Sequence, residues 1–203
     1  MSPLKRAVDI LGALVLGVLL SPLIVFVALA VLLRDGRPVL YASERMKTPT
    51  RAFRLWKFRT MRTDAADAGV SGGDKAARIT ANGAWLRRTR LDELPQLYNI
   101  LRGDMSFVGP RPPLRRYVEL HPDLYARVLQ ARPGVTGLAS LIFHRTEERL
   151  LAECMTPEQT EAVYRRRCVP RKARLDLIYA RRATVCSDFR LMAATVWRRL
   201  RMH

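Results

Sequence analysis

Nothing in this sequence repeats at a fixed period, which excludes solenoids and propellers. Cysteine is scarce: Cys154, Cys168 and Cys186 are odd in number and form no close CxxC pair, so neither a disulfide framework nor a zinc knuckle is expected. They read as reduced thiols facing the cytoplasm. Acids are few, 18 against 36 Lys and Arg, and the formal net charge is +18. A balance this basic calls for an anionic partner: nucleic acid, a membrane surface or a phosphorylated substrate. Long apolar runs are also rare, with one long stretch in the chain, which argues against a membrane protein built from several spanning helices. At 203 residues there is material for one domain with a real core.

The apolar stretch is Ile10 to Leu33, ILGALVLGVLLSPLIVFVALAVLL, long enough to cross the roughly 30 Å hydrocarbon core of a bilayer as a helix. It exceeds a signal peptide's apolar core of about 7 to 15 residues, and no small-x-small cleavage site follows. Ser21-Pro22 interrupts it, and bases flank both ends, Lys5 and Arg6 before, Arg34 and Arg37 after. A straight span would export Lys5 and Arg6, against the preference for positive charge on the cytoplasmic side. A helix bent at Pro22 enters and leaves by one face, with Ser21 satisfying a freed carbonyl. A proline-kinked spanning helix fits the same residues, and they leave the two open.

Partial alternation over Val39 to Met61 predicts one or two short strands, with Phe53, Leu55 and Trp56 between Arg54, Lys57 and Arg59. Thr63 to Ala77 is small, polar and glycine-bearing, a loop. Pro112 to Arg132 reads as a helix and Arg132 to Gly137 as a turn. Over Arg145 to Arg167 mixed charges predict one or two surface helices, with Thr156 capping and Pro157 starting the second. Phe189 to Arg201 sets Phe189, Met192, Val196, Trp197 and Leu200 against Arg190, Arg198, Arg199 and Arg201. That pattern suits a helix in the membrane interface, or one packed on the core.

The chemistry concentrates between Arg87 and Pro112, RRTRLDELPQLYNILRGDMSFVGPRP. Leu91, Leu94, Tyr98 and Leu101 recur at helical spacing, Asp92 is placed to cap, Pro95 is tolerable in a first turn, and Gly103 marks the end. Asp92 and Glu93 are adjacent, so on a helix their side chains diverge by about 100° and divide two jobs. A carboxylate can attack phosphorus to give an acyl phosphate, and magnesium, which takes oxygen ligands, neutralises the charge that repels such an attack. An acid pair in a first turn is equally what capping and the helix dipole favour. The surrounding bases favour function: Arg87, Arg88 and Arg90 lie just upstream, Arg111 sits between two prolines, and Lys57 lies in a basic-aromatic run. Guanidinium forks suit phosphate oxygens. A noncatalytic basic module binding membrane or nucleic acid would gain nothing from acids among its arginines.

The segments Lys5 to Asp9 (KRAVD), Ser21-Pro22, Trp56 to Met61 (WKFRTM), Arg78-Ile79-Thr80, Leu91 to Leu97 (LDELPQL), Gly103 to Pro112 (GDMSFVGPRP) and Arg132 to Gly137 (RPGVTG) together resemble the bacterial sugar transferase family. These are small monotopic phosphoglycosyl transferases, and the resemblance runs from about Lys5 to Leu200. It implies an α+β, mostly helical fold: a re-entrant membrane helix over residues 1–36, then a cytoplasmic-face catalytic domain over 37–203 with interfacial amphipathic helices. It implies a transferase of phosphorus-containing groups at the bacterial inner membrane, opening exopolysaccharide, O-antigen or capsule synthesis. A UDP-sugar would give its sugar 1-phosphate to undecaprenyl or another polyprenyl phosphate, releasing UMP. Asp92 would be the nucleophile, Glu93 its dyad partner, and Mg2+ would sit at Asp92 and Glu93. Lys57, Arg87 and Arg111 would contact phosphates, and Ser21-Pro22 would break the membrane helix, which tips the choice above to the hairpin. Anionic inner-membrane lipids are implied as partners, nucleic acid is not, and a homo-oligomer is compatible. Many members continue after the TGL turn with an AQVNGRN-like segment, where this chain has ASLIFHRTEE over residues 139–148. That bears on the sugar accepted. The large N-terminal membrane domain of some members is not expected.

Overall fold

A computed structural model describes residues 2–62 and 78–200, with no account of the side chains of 198–200. The loop expected over Thr63 to Ala77 lies outside the described residues. The architecture is α+β and mostly helical, as the resemblance implies.

The apolar stretch folds as two helices, α1 (Pro3–Leu19) and α2 (Ser21–Asp35), bent by 64° at the break. Proline has no N–H to continue the ladder, and Pro22 sits in the first turn of α2, where that donor is dispensable. The Ser21 hydroxyl donates to the Val18 carbonyl at 2.8 Å, covering an acceptor freed by the break. Neither helix alone is long and apolar enough to cross a membrane. Leu14, Val15, Val18 and Leu19 of α1 and Val25, Phe26, Leu29 and Leu33 of α2 are half or more exposed, an apolar surface along both arms.

The predicted strands form an antiparallel hairpin, β1 (Leu40–Met46) and β2 (Ala52–Phe58), with Tyr41 opposite Lys57 and Arg45 opposite Phe53. Strand β2 is the middle of the molecule because its two faces bury different clusters. Phe53 and Leu55 pack with Ala13 of α1 and with Ile100 and Met105, whereas Phe58 packs with Val27 and Val31 of α2 and with Leu86. Helix α3 (Ala81–Thr89), capped by the Thr80 hydroxyl, brings Leu86 to the second cluster. Helix α4 (Gln96–Arg102), closed by Gly103 in the left-handed region, brings Ile100 to the first. Full burial of each such side chain is worth about 1.5 to 3 kcal/mol, so the two clusters hold α1 and α2 on opposite sides of one strand.

Polar contacts tie both ends of the bent pair to the same body. Arg6 donates to the Ile100 and Leu101 carbonyls at 2.7 and 2.9 Å, closing the last turn of α4. Lys5 donates to the Val108 carbonyl and the Tyr179 hydroxyl, each at 3.1 Å, and pairs with Asp188. At the other end, buried Arg59 donates to the backbone carbonyls of Asp35, Gly36 (2.8 Å) and Arg37 (3.0 Å), capping the exit of α2. Lys5 and Arg6, expected as flanking charges, thus also have protein partners.

Several elements differ from the sequence expectation. The helix expected over Pro112 to Arg132 is two, α5 (Arg115–Leu120) and α6 (Pro122–Val128), because Pro122 cannot donate into a preceding turn. Residues Arg132 to Gly137, read as a turn, contain a strand: β4 (Gly134–Thr136) pairs in parallel with β3 (Ser106–Val108). The approach is backbone on backbone; a Cβ on Gly109 would lie 2.1 Å from the Arg132 carbonyl oxygen, and one on Gly134 2.1 Å from the Gly109 nitrogen.

The remaining helices are α7 (Leu138–Ala152), α8 (Pro157–Val163), α9 (Val169–Arg182) and α10 (Val185–Leu200), with a π turn at Tyr164–Cys168 joining α8 to α9. Thr156 caps α8 through the Gln159 nitrogen at 3.2 Å, as expected. The three cysteines are free: Cys168 buried, Cys154 half-buried and Cys186 exposed. On α10, Phe189, Val196 and Trp197 are more than half exposed.

Candidate active site

Helix α3 ends at Arg90, the one described non-glycine residue with positive φ (63°). This conformation is uncommon for an L side chain; it turns the chain sharply into a 3-10 turn over Leu91–Glu93 before α4 starts. Asp92 therefore caps no helix, against the expectation, and the α-helix begins four residues later, at Gln96, with Pro95 as its flanking residue. Two carboxylates on a tight turn, unused for capping, are the first sign that the pair is placed for chemistry.

Their surroundings differ sharply. One oxygen of Glu93, Oε1, faces three cations: Lys57 at 3.0 Å, Arg90 at 3.0 Å and Arg111 at 3.8 Å. Burial alone would push the Glu93 pKa up, but Lys57, Arg111 and Arg90 outweigh it and hold it at about 2. Asp92 is buried, and its Oδ1 has no hydrogen-bond partner. Burial pushes its pKa up, reinforced by Glu93 and opposed by Lys57, Arg90 and Arg87. Glu93 is thus a fixed anion that gathers cations, whereas Asp92 is the more basic carboxylate with an oxygen left free. Burial lowers the pKa of the Lys57 amine despite Glu93 beside it.

A cleft of about 300 Å³, counting the space open to solvent, opens at Glu93 beside Asp92, walled by Lys57, Gln96, Arg111, Arg45 and by Gly134 and Val135 of β4. Arg87 is aimed from α3 by the Thr60 hydroxyl, which accepts from its Nε at 2.9 Å. Arg111 projects from the Gly109-Pro110-Arg111-Pro112 loop, whose ends are laced to the neighbouring strand: the Gly109 nitrogen donates to the Thr136 carbonyl and the Gly134 nitrogen to the Pro110 carbonyl, each at 2.9 Å. The structure therefore brings Asp92, Glu93, Lys57, Arg87 and Arg111 together. Ser21 and Pro22 lie apart from them, at the bend between α1 and α2.

Sequence reasoning missed two supporting residues. Asn99 is fully buried; its carbonyl oxygen accepts from the Trp56 nitrogen at 3.1 Å and its amide donates to the Arg54 carbonyl at 2.8 Å, pinning β2 to the dyad segment. Arg45 reaches the cleft from β1. Asn99 interrupts the apolar face of α4, which is a signal, whereas Arg45 is one more base in a basic run.

A depressed carboxylate stands beside an elevated one, next to a cleft whose guanidinium and ammonium groups have the geometry and charge that suit phosphate oxygens. The chain belongs to the bacterial sugar transferase family, whose pattern it matches over residues 1–202. It is 35% identical over 204 residues to an undecaprenyl-phosphate glucose phosphotransferase of Komagataeibacter xylinus, covering 97% of this chain and 36% of the relative. It is 32% identical over 203 residues to the UDP-glucose:undecaprenyl-phosphate glucose-1-phosphate transferase of Escherichia coli K12, covering 96% of this chain and 40% of that protein. The exopolysaccharide production protein PSS of Rhizobium leguminosarum is 45% identical over 147 residues, 68% of this chain and 73% of the relative. The chain thus spans well under half of the first two relatives.

Proposed function

We propose that this protein transfers a sugar 1-phosphate from a UDP-sugar to undecaprenyl phosphate, releasing UMP, through a covalent phosphosugar intermediate on Asp92. The observation that carries the reading is the free, buried Asp92 oxygen beside a Glu93 already saturated with cations. A carboxylate oxygen of Asp92 attacks the phosphorus that bears the sugar. The new bond is Asp92 oxygen to phosphorus, and the bond broken joins that phosphorus to the bridging oxygen, which leaves on UMP. An oxygen of the lipid phosphate then attacks the same phosphorus and returns the carboxylate of Asp92. Lys57, Arg87 and Arg111 hold the phosphate oxygens, and Glu93 orients Lys57 and Arg111.

The residues fit magnesium as the resemblance implies. Asp92 Oδ1 is an unpartnered oxygen donor, Glu93 adjoins it, and no cluster of three acidic, His or Cys ligands occurs among the described residues, so phosphate and water would complete the shell. Bound there, the ion would neutralise phosphate charge during attack.

The same reading places the protein on the cytoplasmic face of the bacterial inner membrane, with residues 1–36 as a re-entrant hairpin. Both ends of the bent pair dock on the catalytic body, its outward faces are apolar, and Phe189, Val196 and Trp197 of α10 offer a second apolar surface for the interface. The test is UMP release with undecaprenyl phosphate, Mg2+ and a panel of UDP-sugars, with intact-protein mass measured in the absence of acceptor. A protein heavier by one sugar phosphate, lost in Asp92→Asn, is expected; a fully active Asp92→Asn enzyme overturns the mechanism.

A further inference from the structure

Arg45 is the cation in the cleft that the dyad leaves unanswered. It lies on the same face of the β1–β2 hairpin as Lys57, because opposite residues in an antiparallel pair share a face and the pairs here are Arg45 with Phe53 and Tyr41 with Lys57. Four ladder positions separate them, about 13 Å at roughly 3.3 Å per residue, yet both side chains line the one cleft. The Met46 nitrogen donates to the Pro113 carbonyl at 3.0 Å, fastening β1 beside the loop that presents Arg111.

Lys57, Arg90 and Arg111 all share Glu93. Arg45 donates to its neighbour Glu44's carbonyl at 3.0 Å and forms no ion pair among the described residues. Burial, with Arg111 close by, works against its charge. A half-buried guanidinium beside another, with no carboxylate between them, is stabilised by an anion entering the cleft.

The charges are also ordered along the cleft. Lys57 and Arg111 reach Glu93, the neighbour of Asp92, at 3.0 and 3.8 Å, whereas Arg45 lies four ladder positions along the hairpin from Lys57. Arg45 thus stands at the end remote from Asp92. In-line displacement puts the leaving oxygen opposite the attacking one, so a diphosphate attacked by Asp92 must run toward Arg111 and Arg45.

We infer that Arg45 binds the phosphate of the departing nucleotide and stabilises the charge it gains as the bridging bond breaks. This rests on the two-step reading above, and the two steps separate its failure from that reading's. Donor is chosen as whichever of UDP-glucose, UDP-galactose and UDP-N-acetylgalactosamine wild type turns over. Adduct formation without acceptor is timed by mass spectrometry, transfer from preformed adduct to undecaprenyl phosphate is timed separately, and UMP inhibition of adduct formation is titrated. Losing one charge-assisted contact should slow adduct formation in Arg45→Gln about tenfold to a hundredfold and weaken UMP inhibition about tenfold. Transfer from the adduct, from which UMP has gone, should stay within about twofold. Arg45→Lys should show the same partition with a smaller loss, and decides the matter if Arg45→Gln has no melting transition. Equal slowing of both steps makes Arg45 structural, and slowing of the second alone assigns it to the acceptor phosphate; either overturns the inference, as does no change. A wild type that forms adduct with none of the donors overturns the functional reading and the inference with it.

Discussion

Arg59 offers the sharpest test of how the bent helix pair is joined to strand β2. Its guanidinium donates to the carbonyls of Asp35, Gly36 and Arg37, acceptors left over where α2 stops. In Arg59→Met the apolar stem stays and the donors go. Each charge-assisted bond is worth about 1.5 to 3 kcal/mol, and since such terms do not add and water can reach some of the carbonyls, a total loss of about 3 to 5 kcal/mol is expected. For a chain of this size that lowers the melting temperature by about 6 to 20 °C. Hydrogen exchange should rise first around residues 33–37 and in Thr60, the neighbour that aims Arg87, and adduct formation should fall as well. Arg59→Lys keeps the charge but one amine cannot span the carbonyls, so it should fall between. Measurements belong in detergent or nanodiscs, by scanning calorimetry and exchange mass spectrometry. An Arg59→Met protein that melts within about 2 °C of wild type, with unchanged exchange at 33–37, refutes the argument.

Other expectations are independent of this one. Because the Glu93 pKa is depressed to about 2 from the usual 4.5, its ionisation supports the fold fully above about 4.5 and progressively less as pH falls toward 2; Glu93→Gln should flatten that part of the stability profile. An unaltered acid limb in the variant would contradict the assignment. Arg111→Lys keeps the charge but loses the bidentate fork, so kcat/KM should fall about tenfold or more with little change in melting temperature, whereas unchanged kinetics return Arg111 to ordinary surface charge. With Cys154 and Cys186 replaced by serine, single cysteines introduced at positions 3 and 37 should both be labelled from the cytoplasmic face. Pro22→Ala should expose residue 3 on the outside in part of the population; labelling of wild-type position 3 only from outside would favour a kinked span.

What the sequence discloses depends on whether a residue acts through its neighbours in the chain or across the fold. Asp92, Glu93, the break at Ser21-Pro22, the β1–β2 hairpin and the Thr156-Pro157 helix start are local signals, and each could be read from a few consecutive residues. The parallel pair of β3 and β4 could not: three residues are too short for a period, and the partners lie some 28 positions apart, Ser106 with Gly134. Lys57 and Arg59 sit two apart in one motif, yet one faces a carboxylate in the cleft and the other caps the apolar helix α2. Composition presents both as the same surface charge. The left-handed Arg90 is hidden for a related reason, since nothing but the close of α3 and the pull of Glu93 obliges a non-glycine residue to adopt it. Asn99 and Arg45 are buried or half-buried by elements that meet only in three dimensions.

The close approach of Gly109 to Gly134 limits how this protein could be altered. Two main chains pass so near each other that a methyl on either would meet a backbone atom at 2.1 Å, far inside any non-bonded contact. The loop presenting Arg111 therefore behaves as a fixed floor, closed to drift and to engineering alike. Change in the cleft would have to come from the side chains of its other walls, Arg45 and Gln96 among them, and not from this floor.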